Sequence, residues 1–76
     1  PIKTYASITY GIPEEGMINL SIYNTIGEKV KVLRNSRLVP GYYNQILNCR
    51  DLPSGIYFLV LRQGSEKVSK KFLLVK

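Results

Sequence analysis

Few residues in this 76-residue chain could carry acid–base or metal chemistry, and histidine is absent. The commonest general base and the usual zinc ligand are therefore both missing. All of the carboxylates fall in or beside predicted turns: Glu14, Glu15, Glu28, Asp51 and Glu66. Adjacent carboxylates in a turn are more typical of a solvated surface than of an acid–base pair, which needs a cleft. We therefore predict that the chain is not an enzyme, with no catalytic residues, no metal and no cofactor.

Cys49 is the single cysteine, so the chain cannot form an internal disulfide. A thiol acts as a nucleophile only when a neighbouring group favours the thiolate, and no base lies near it in sequence. The more common role of such a cysteine is that of a small hydrophobic residue beside a loop. We expect Cys49 to be structural, which leaves the cellular compartment open.

The net charge of +6 favours acidic partners in general, such as anionic lipopolysaccharide, acidic proteins or nucleic acid. The positions of the charges argue against a dedicated nucleic-acid site, because most of the lysines lie in predicted strands. Lysine on an edge strand commonly prevents aggregation between sheets. Arg34 and Arg37 form a further basic pair, in a predicted loop before Pro40. Adhesion to an acidic surface remains a weaker alternative.

The periodicity of the chain is that of β-strands throughout. Apolar residues alternate with polar ones, and turn signals recur about every 8–12 residues, which indicates a sandwich or a barrel. Val30 and Val32 should face away from Lys29 and Lys31, and residues 35–41 should form a loop that closes at Pro40 and Gly41. The predicted strands cover residues 5–10, 17–23, 29–33, 42–47, 56–62 and 67–75.

A tight corner precedes the fifth strand. Pro53 fixes one backbone torsion, Ser54 can bond its own backbone, and Gly55 permits a positive φ. Tyr57 then lies just inside the strand, in a position similar to the tyrosine corner of immunoglobulin-like sandwiches. Where those domains carry a cysteine two residues later, this chain has Leu59. The four residues Pro53, Ser54, Gly55 and Tyr57 are therefore predicted to form a structural corner.

The fifth strand is apolar on both faces. One side carries Tyr57 and Leu59, and the other carries Ile56, Phe58 and Val60. Either another segment covers the second face or that face docks a partner. We expect the first residues of the chain to provide the cover.

Two adjacent tyrosines, Tyr42 and Tyr43, lie on the predicted fourth strand. Neighbouring residues of a strand point to opposite faces, so at least one of the two must point away from the core. Exposed aromatics with interleaved basic residues can bind nucleic acid, but the nearest basic residues belong to another element. We expect a cross-strand packing pair instead.

Six short segments follow one another in a characteristic order along the whole chain. They read ITYGIPE at 8–14, INLSIYN at 18–24, IGEKV at 26–30, PGYY at 40–43, LPSGIYF at 52–58 and KKFLLVK at 70–76. In order and spacing these segments resemble the C-terminal sorting domains of the type IX secretion system, type A. The immunoglobulin-like part of the flagellar hook-capping protein is similar.

The resemblance implies an all-β fold, an Ig-like antiparallel β-sandwich of about six or seven strands, with residues 1–76 as a single domain at the C-terminal end of a larger secreted protein. Such a domain is a targeting signal for export through the bacterial outer membrane, which would place the protein at the cell surface or outside the cell. Its implied partners are the secretion translocon, the N-terminal cargo domain, a sortase-type peptidase and anionic lipopolysaccharide, with no nucleic acid. The corresponding signal lies nearest the carboxyl end, so the recognition candidates are Lys70, Lys71 and Lys76.

The chain departs from the family pattern at two places. Where family members often carry Trp-Asp-Gly before the corner, this chain reads Leu47-Asn48-Cys49, which removes a core aromatic. The usual Asn-Pro start is reduced to Pro1-Ile2, as expected for a cleaved fragment. An alternative function is that of an accessory β-sandwich module that stabilises or anchors an extracellular enzyme.

Overall fold

A computed structural model describes residues 2–76, so Pro1, part of the expected family start, lies outside the described residues. Within residues 2–76 every regular element is a β-strand. The strands are β1 (Tyr5–Ile12), β2 (Gly16–Tyr23), β3 (Lys29–Leu38), β4 (Gly41–Asn48), β5 (Gly55–Gln63) and β6 (Glu66–Leu74). The all-β prediction is confirmed, and the structure has six strands where six or seven were expected.

The strands form two antiparallel sheets that enclose the core. One sheet has the order β3-β2-β5-β6, and the other consists of β1 and β4. The fully buried side chains come from both sheets, which is the arrangement of a β-sandwich. The core residues are Ile12, Ile18, Leu20, Ile22, Leu38, Leu47, Cys49, Leu52, Tyr57 and Leu74.

Strand β2 forms because its sequence alternates with a period of two. Ile18, Leu20 and Ile22 are at most 1% exposed and all face the core. The chain turns after Tyr23, and Gly27 in this turn adopts a φ of 85°, a left-handed conformation that favours glycine.

The predicted loop at residues 35–41 is wrong for most of its length, because β3 continues to Leu38. Asn35 pairs with Asn19, and Leu38 pairs with Gly16. Pairing with a well-formed neighbouring strand outweighs the low β-propensity of Asn and Ser, while Leu38 gains burial in the core. Arg34 and Arg37 therefore lie on a strand and not in a loop.

The pairing of β2 with β3 is interrupted by two bulges. The register shifts between Leu20 and Ser21 and again between Ile22 and Tyr23, so Leu33 and Val30 are the extra residues of β3. Leu33 packs against the core, whereas Val32 is 52% exposed. The bulges thus leave Val30 and Val32 exposed to solvent.

Strand β5 divides its apolar residues between the two faces of its sheet. Tyr57 and Leu59 pack in the core, while Phe58 and Val60 lie on the opposite face. The expectation that the first residues cover this second face is wrong. Ile2 forms a parallel bridge with Leu74 at the edge of β6 and packs against the core.

The expected cross-strand aromatic pair is confirmed. Tyr10 of β1 lies opposite Tyr43 of β4, and their rings stack with centroids 5.9 Å apart. Tyr42 points outward and is 87% exposed, with its ring lying over Gly11 of the neighbouring strand. A Cβ atom at Gly11 would come within 3.2 Å of this ring.

Candidate recognition surface at the corner and the carboxyl-terminal strand

The predicted corner is built around one tyrosine hydroxyl. Tyr57 is buried, and its hydroxyl donates to the carbonyl oxygen of Pro53 across 2.6 Å. The ring of Tyr57 stacks on Phe72 of β6, with centroids 5.8 Å apart. The same side chain therefore fixes the entry of the chain into β5 and contacts the strand beside it.

A second tyrosine in the chain makes the same contact. The hydroxyl of Tyr43 donates to the carbonyl oxygen of Val39 across 2.5 Å, which is again four residues back along the chain. Each strand begins with a glycine two residues before the tyrosine, and these glycines, Gly41 and Gly55, have φ of 152° and 159°. Sequence reasoning singled out only one corner, although the shared Gly-X-Tyr spacing marks both.

The corner also contacts the residues that follow β6. The backbone N–H of Lys76 donates to the hydroxyl oxygen of Ser54 across 3.1 Å. The ammonium group of Lys76 donates to the carbonyl oxygen of Arg50 across 2.7 Å. Lys76 thus lies against the corner through both its backbone and its side chain.

Ile2 contacts the same segment through its backbone. Its N–H donates to the carbonyl oxygen of Leu73 across 2.8 Å, and its carbonyl oxygen accepts from the N–H of Val75 across 2.7 Å. The side chain of Leu74, between these two residues, is 0% exposed. Residues 73–76 are therefore integrated into the fold.

The two adjacent lysines of β6 point to opposite sides of the sheet. Lys70 lies opposite Leu59 and lines a groove of about 350 Å³ between β6 and β1. Lys71 lies opposite Phe58, on the face turned away from the core. The structure thus places the three candidate lysines in three different surroundings and brings only Lys76 to the corner.

An ion pair lies on the other side of the corner. The ammonium group of Lys31 is 3.0 Å from the Asp51 carboxylate, and this hydrogen bond lowers the pKa of the carboxyl group. The pair joins β3 to the turn before Pro53. Because Asp51 is exposed, the attraction is screened by solvent and contributes little to the free energy of unfolding.

Leu47 and Cys49 occupy core positions in the segment where family members often carry an aromatic. They are 1% and 0% exposed and belong to the same apolar cluster. Burial is the main cause that raises the pKa of the Cys49 thiol, with the Lys31 charge acting in the opposite direction. The thiol therefore stays protonated and acts as an apolar side chain.

Two of the remaining carboxylates make ordinary surface contacts. Glu15 accepts from Arg37 across 3.1 Å, and Glu28 accepts from the side-chain amide of Asn24 across 2.8 Å. Among residues 2–76, no three histidine, cysteine, aspartate or glutamate residues are grouped so that they could hold a metal ion.

The chain matches the family model described as "Secretion system C-terminal sorting domain", and the match covers residues 1–76. No curated protein and no solved structure matches the chain. Within residues 2–76, no helix is long and apolar enough to cross a membrane.

Proposed function

The chain belongs to the family of secretion system C-terminal sorting domains, and we propose that its signal is presented by the folded sandwich. Domains of this family are sorting signals for type IX secretion, so the chain directs its cargo through the outer membrane to the cell surface or the extracellular space. The secretion machinery recognises the domain, and the cargo precedes it in the same protein. The match gives no support to an accessory enzyme-stabilising module.

The observation that carries the proposal is the anchoring of residues 73–76. Ile2 holds this segment through two backbone hydrogen bonds, and Ser54 holds it through a third. Leu74 fills the core at the same point. A receptor that meets the folded domain therefore meets these residues in one fixed shape, and the ordering entropy has already been lost during folding.

We assign recognition to Lys70 and Lys71 on β6 and to Lys76 in the anchored segment. All three residues are exposed, and each carries a positive charge that an acidic site on the machinery could bind. Pro53, Ser54, Gly55 and Tyr57 act as positioning residues, because Ser54 holds the backbone of Lys76 and the Tyr57–Pro53 hydrogen bond fixes the entry of the chain into β5. The chain itself would perform no catalysis.

Residues 1–76 would constitute one domain that follows a larger secreted cargo. After export, a sortase-type peptidase would cut the chain ahead of the sandwich, since a peptidase needs extended backbone that is free of other pairing. From β1 to β6 every strand is already paired along at least one side. The positive charge of the domain would also favour a transient contact with anionic lipopolysaccharide.

The test is export of a soluble reporter fused to residues 1–76, in a host that carries the type IX system. Lys70→Glu, Lys71→Glu and Lys76→Glu are introduced singly and together, and Lys3→Glu is the charge-matched control for the single variants because Lys3 is exposed and precedes β1. We expect the triple variant to leave the reporter in the periplasm, while Lys3→Glu is exported normally. Normal export of the triple variant would contradict the assignment of the three lysines.

A second measurement keeps this test interpretable. The thermal unfolding of each purified domain shows whether the charge reversals leave the fold intact, since exposed substitutions usually change stability by less than about 0.5 kcal/mol. If a variant domain remains folded and its reporter fusion is still retained in the periplasm, the result supports direct recognition of the lysines by the machinery. Retention only of variants that have unfolded would count against a specific role for the lysines.

A further inference from the structure

The side of the four-stranded sheet that faces away from the core combines apolar and basic side chains. We call this side the outer face. On β5 it carries Ile56, Phe58, Val60 and Arg62, as the pairing of that strand shows. The neighbouring residues on β2, β3 and β6 are Asn19, Ser21, Tyr23, Lys29, Val32, Lys67, Ser69, Lys71 and Leu73.

A shallow apolar hollow lies in the outer face. Tyr23 and Phe58 are directly paired neighbours, and together with Val60 they line a hollow of about 320 Å³ beside the β2–β3 turn. Val60 is only 8% exposed yet belongs to neither core cluster, so outer-face neighbours cover it. The hollow is large enough for one apolar side chain of a partner.

Positive charges surround this hollow. Arg62 of β5 and Lys67 of β6 lie opposite each other in the strand register and line one end of the hollow. Lys71 lies opposite Phe58. On the other side, the ammonium group of Lys29 lies 5.9 Å from the centroid of the Tyr23 ring. An apolar centre with a charged rim is the usual anatomy of a protein-binding patch.

The carboxylates of the described residues do not balance these charges. Glu66, the one acidic strand residue, lies opposite Gln63 and lines a different cavity, at the β1–β2 turn. Glu28 lies in the β2–β3 turn, and its carboxylate accepts from the Asn24 side chain. The positive potential of the outer face is therefore left for a partner to neutralise.

We propose that the outer face docks an acidic protein segment in extended conformation, with one apolar side chain in the hollow and carboxylates on Arg62, Lys67 and Lys71. Lys67 and Lys71 project from the same side of β6, because every second side chain of a strand faces the same way. An extended acidic peptide repeats its side chains with the same period. The hollow accepts a single apolar side chain, which a peptide can carry beside its carboxylates.

Protection of the β6 edge against aggregation would also account for its lysines, but it does not account for the hollow. Edge protection is served equally by Lys70 and Lys71, since both are exposed on the same strand. Only Lys71 shares a face with Phe58. A comparison of the same substitution at Lys70 and at Lys71 therefore distinguishes specific docking on the outer face from attraction by the net charge.

The experiment follows the backbone amide NMR signals of the 76-residue chain during titration with a ten-residue peptide. Serine occupies every second position of this peptide, and the positions between carry glutamate except for one central leucine, so that leucine and glutamate project from the same face of the extended chain. We expect shifts concentrated at Phe58, Val60 and Ser69. Lys71→Glu should weaken binding about two- to fivefold, as for loss of one exposed ion pair, whereas Lys70→Glu should have a smaller effect. Phe58→Ala should weaken binding without changing its dependence on salt.

Three results would overturn the proposal. One is an equal loss of affinity in Lys70→Glu and Lys71→Glu, which would indicate diffuse attraction by net charge. Another is a set of shifts spread over both sheets. The third is a response of the outer face to vesicles containing anionic lipopolysaccharide and not to the peptide. Because the titration requires no export, its outcome is separate from that of the proposed sorting function.

Discussion

Ser54 and Lys76 are joined by a hydrogen bond in which the backbone N–H of Lys76 donates to the hydroxyl oxygen of Ser54 across 3.1 Å. Through this bond, the corner before β5 holds the residues that follow β6. Tyr57 reinforces the link, since its ring stacks on Phe72. The position of the carboxyl-terminal segment thus depends on residues that lie about twenty positions earlier in the sequence.

Ser54→Ala should release Lys76 without unfolding the sandwich. The substitution removes the acceptor for the Lys76 amide, while the paired backbone of β5 and β6 is unaffected. We expect hydrogen exchange at the Lys76 amide to accelerate, with unchanged protection at Leu59 and Val60. Unchanged exchange at Lys76 would mean that the Ser54 bond does not hold this residue.

Tyr57→Phe should lower the free energy of unfolding by about 1 kcal/mol, the net contribution of a typical hydrogen bond. For a domain of this size the loss corresponds to roughly 4–8 °C in the melting temperature. Tyr43→Phe is the matched control, because it removes the equivalent bond in a more exposed setting. Urea unfolding should rank Tyr57→Phe as the more destabilised variant, and the reverse order would contradict the role of the corner.

Cys49 should react slowly with thiol reagents in the native state. The side chain is 0% exposed, and burial raises the pKa of its thiol, so both access and thiolate formation are suppressed. We expect the rate of labelling by a chromogenic disulfide to rise steeply when urea unfolds the chain. Rapid labelling of the folded protein at neutral pH would contradict the burial of this thiol.

The Lys31–Asp51 pair should make stability depend on pH in the acidic range. The hydrogen bond to Lys31 lowers the pKa of Asp51 in the folded state, so its stabilisation is present above the unfolded pKa of about 3.9. The stabilisation is lost as the pH falls through the lower folded pKa.

The melting temperature of the wild type should therefore exceed that of Asp51→Asn at pH 6, and the gap should close below about pH 4. Lys31→Met is the complementary variant, because it removes the partner and leaves the carboxylate in place. A gap that is constant from pH 6 to pH 2 would show that ionisation of Asp51 makes no contribution.

Most of the strand framework follows from local sequence patterns. The alternation from Ile18 to Ile22 predicts its inward face, and the apolar run from Ile56 to Leu61 predicts a strand that is apolar on both faces. The Pro53–Gly55 corner was recognisable from residue types alone. These features depend on neighbours in sequence, which a single chain displays directly.

The remaining features depend on neighbours in space. Polar residues 35–37 become a strand because β2 offers them a pairing edge, and the bulges that expose Val32 arise from the register between two strands. The opposite orientation of Lys70 and Lys71 follows from simple alternation. However, only the pairing of β5 with β6 shows that Lys70 lines a groove and that Lys71 borders the hollow.

Presentation of the signal by the folded domain is tested most directly by the export of a reporter fused to residues 1–76 with the substitution Ile22→Asp. Ile22 is 0% exposed, so a buried unpaired charge at this position should unfold the sandwich while the sequence of residues 66–76 stays unchanged. With equal amounts of fusion protein in the cell, we predict export of the wild-type fusion and retention of the Ile22→Asp fusion in the periplasm. Equal export of both fusions, with the variant shown to be unfolded by circular dichroism, would contradict the account.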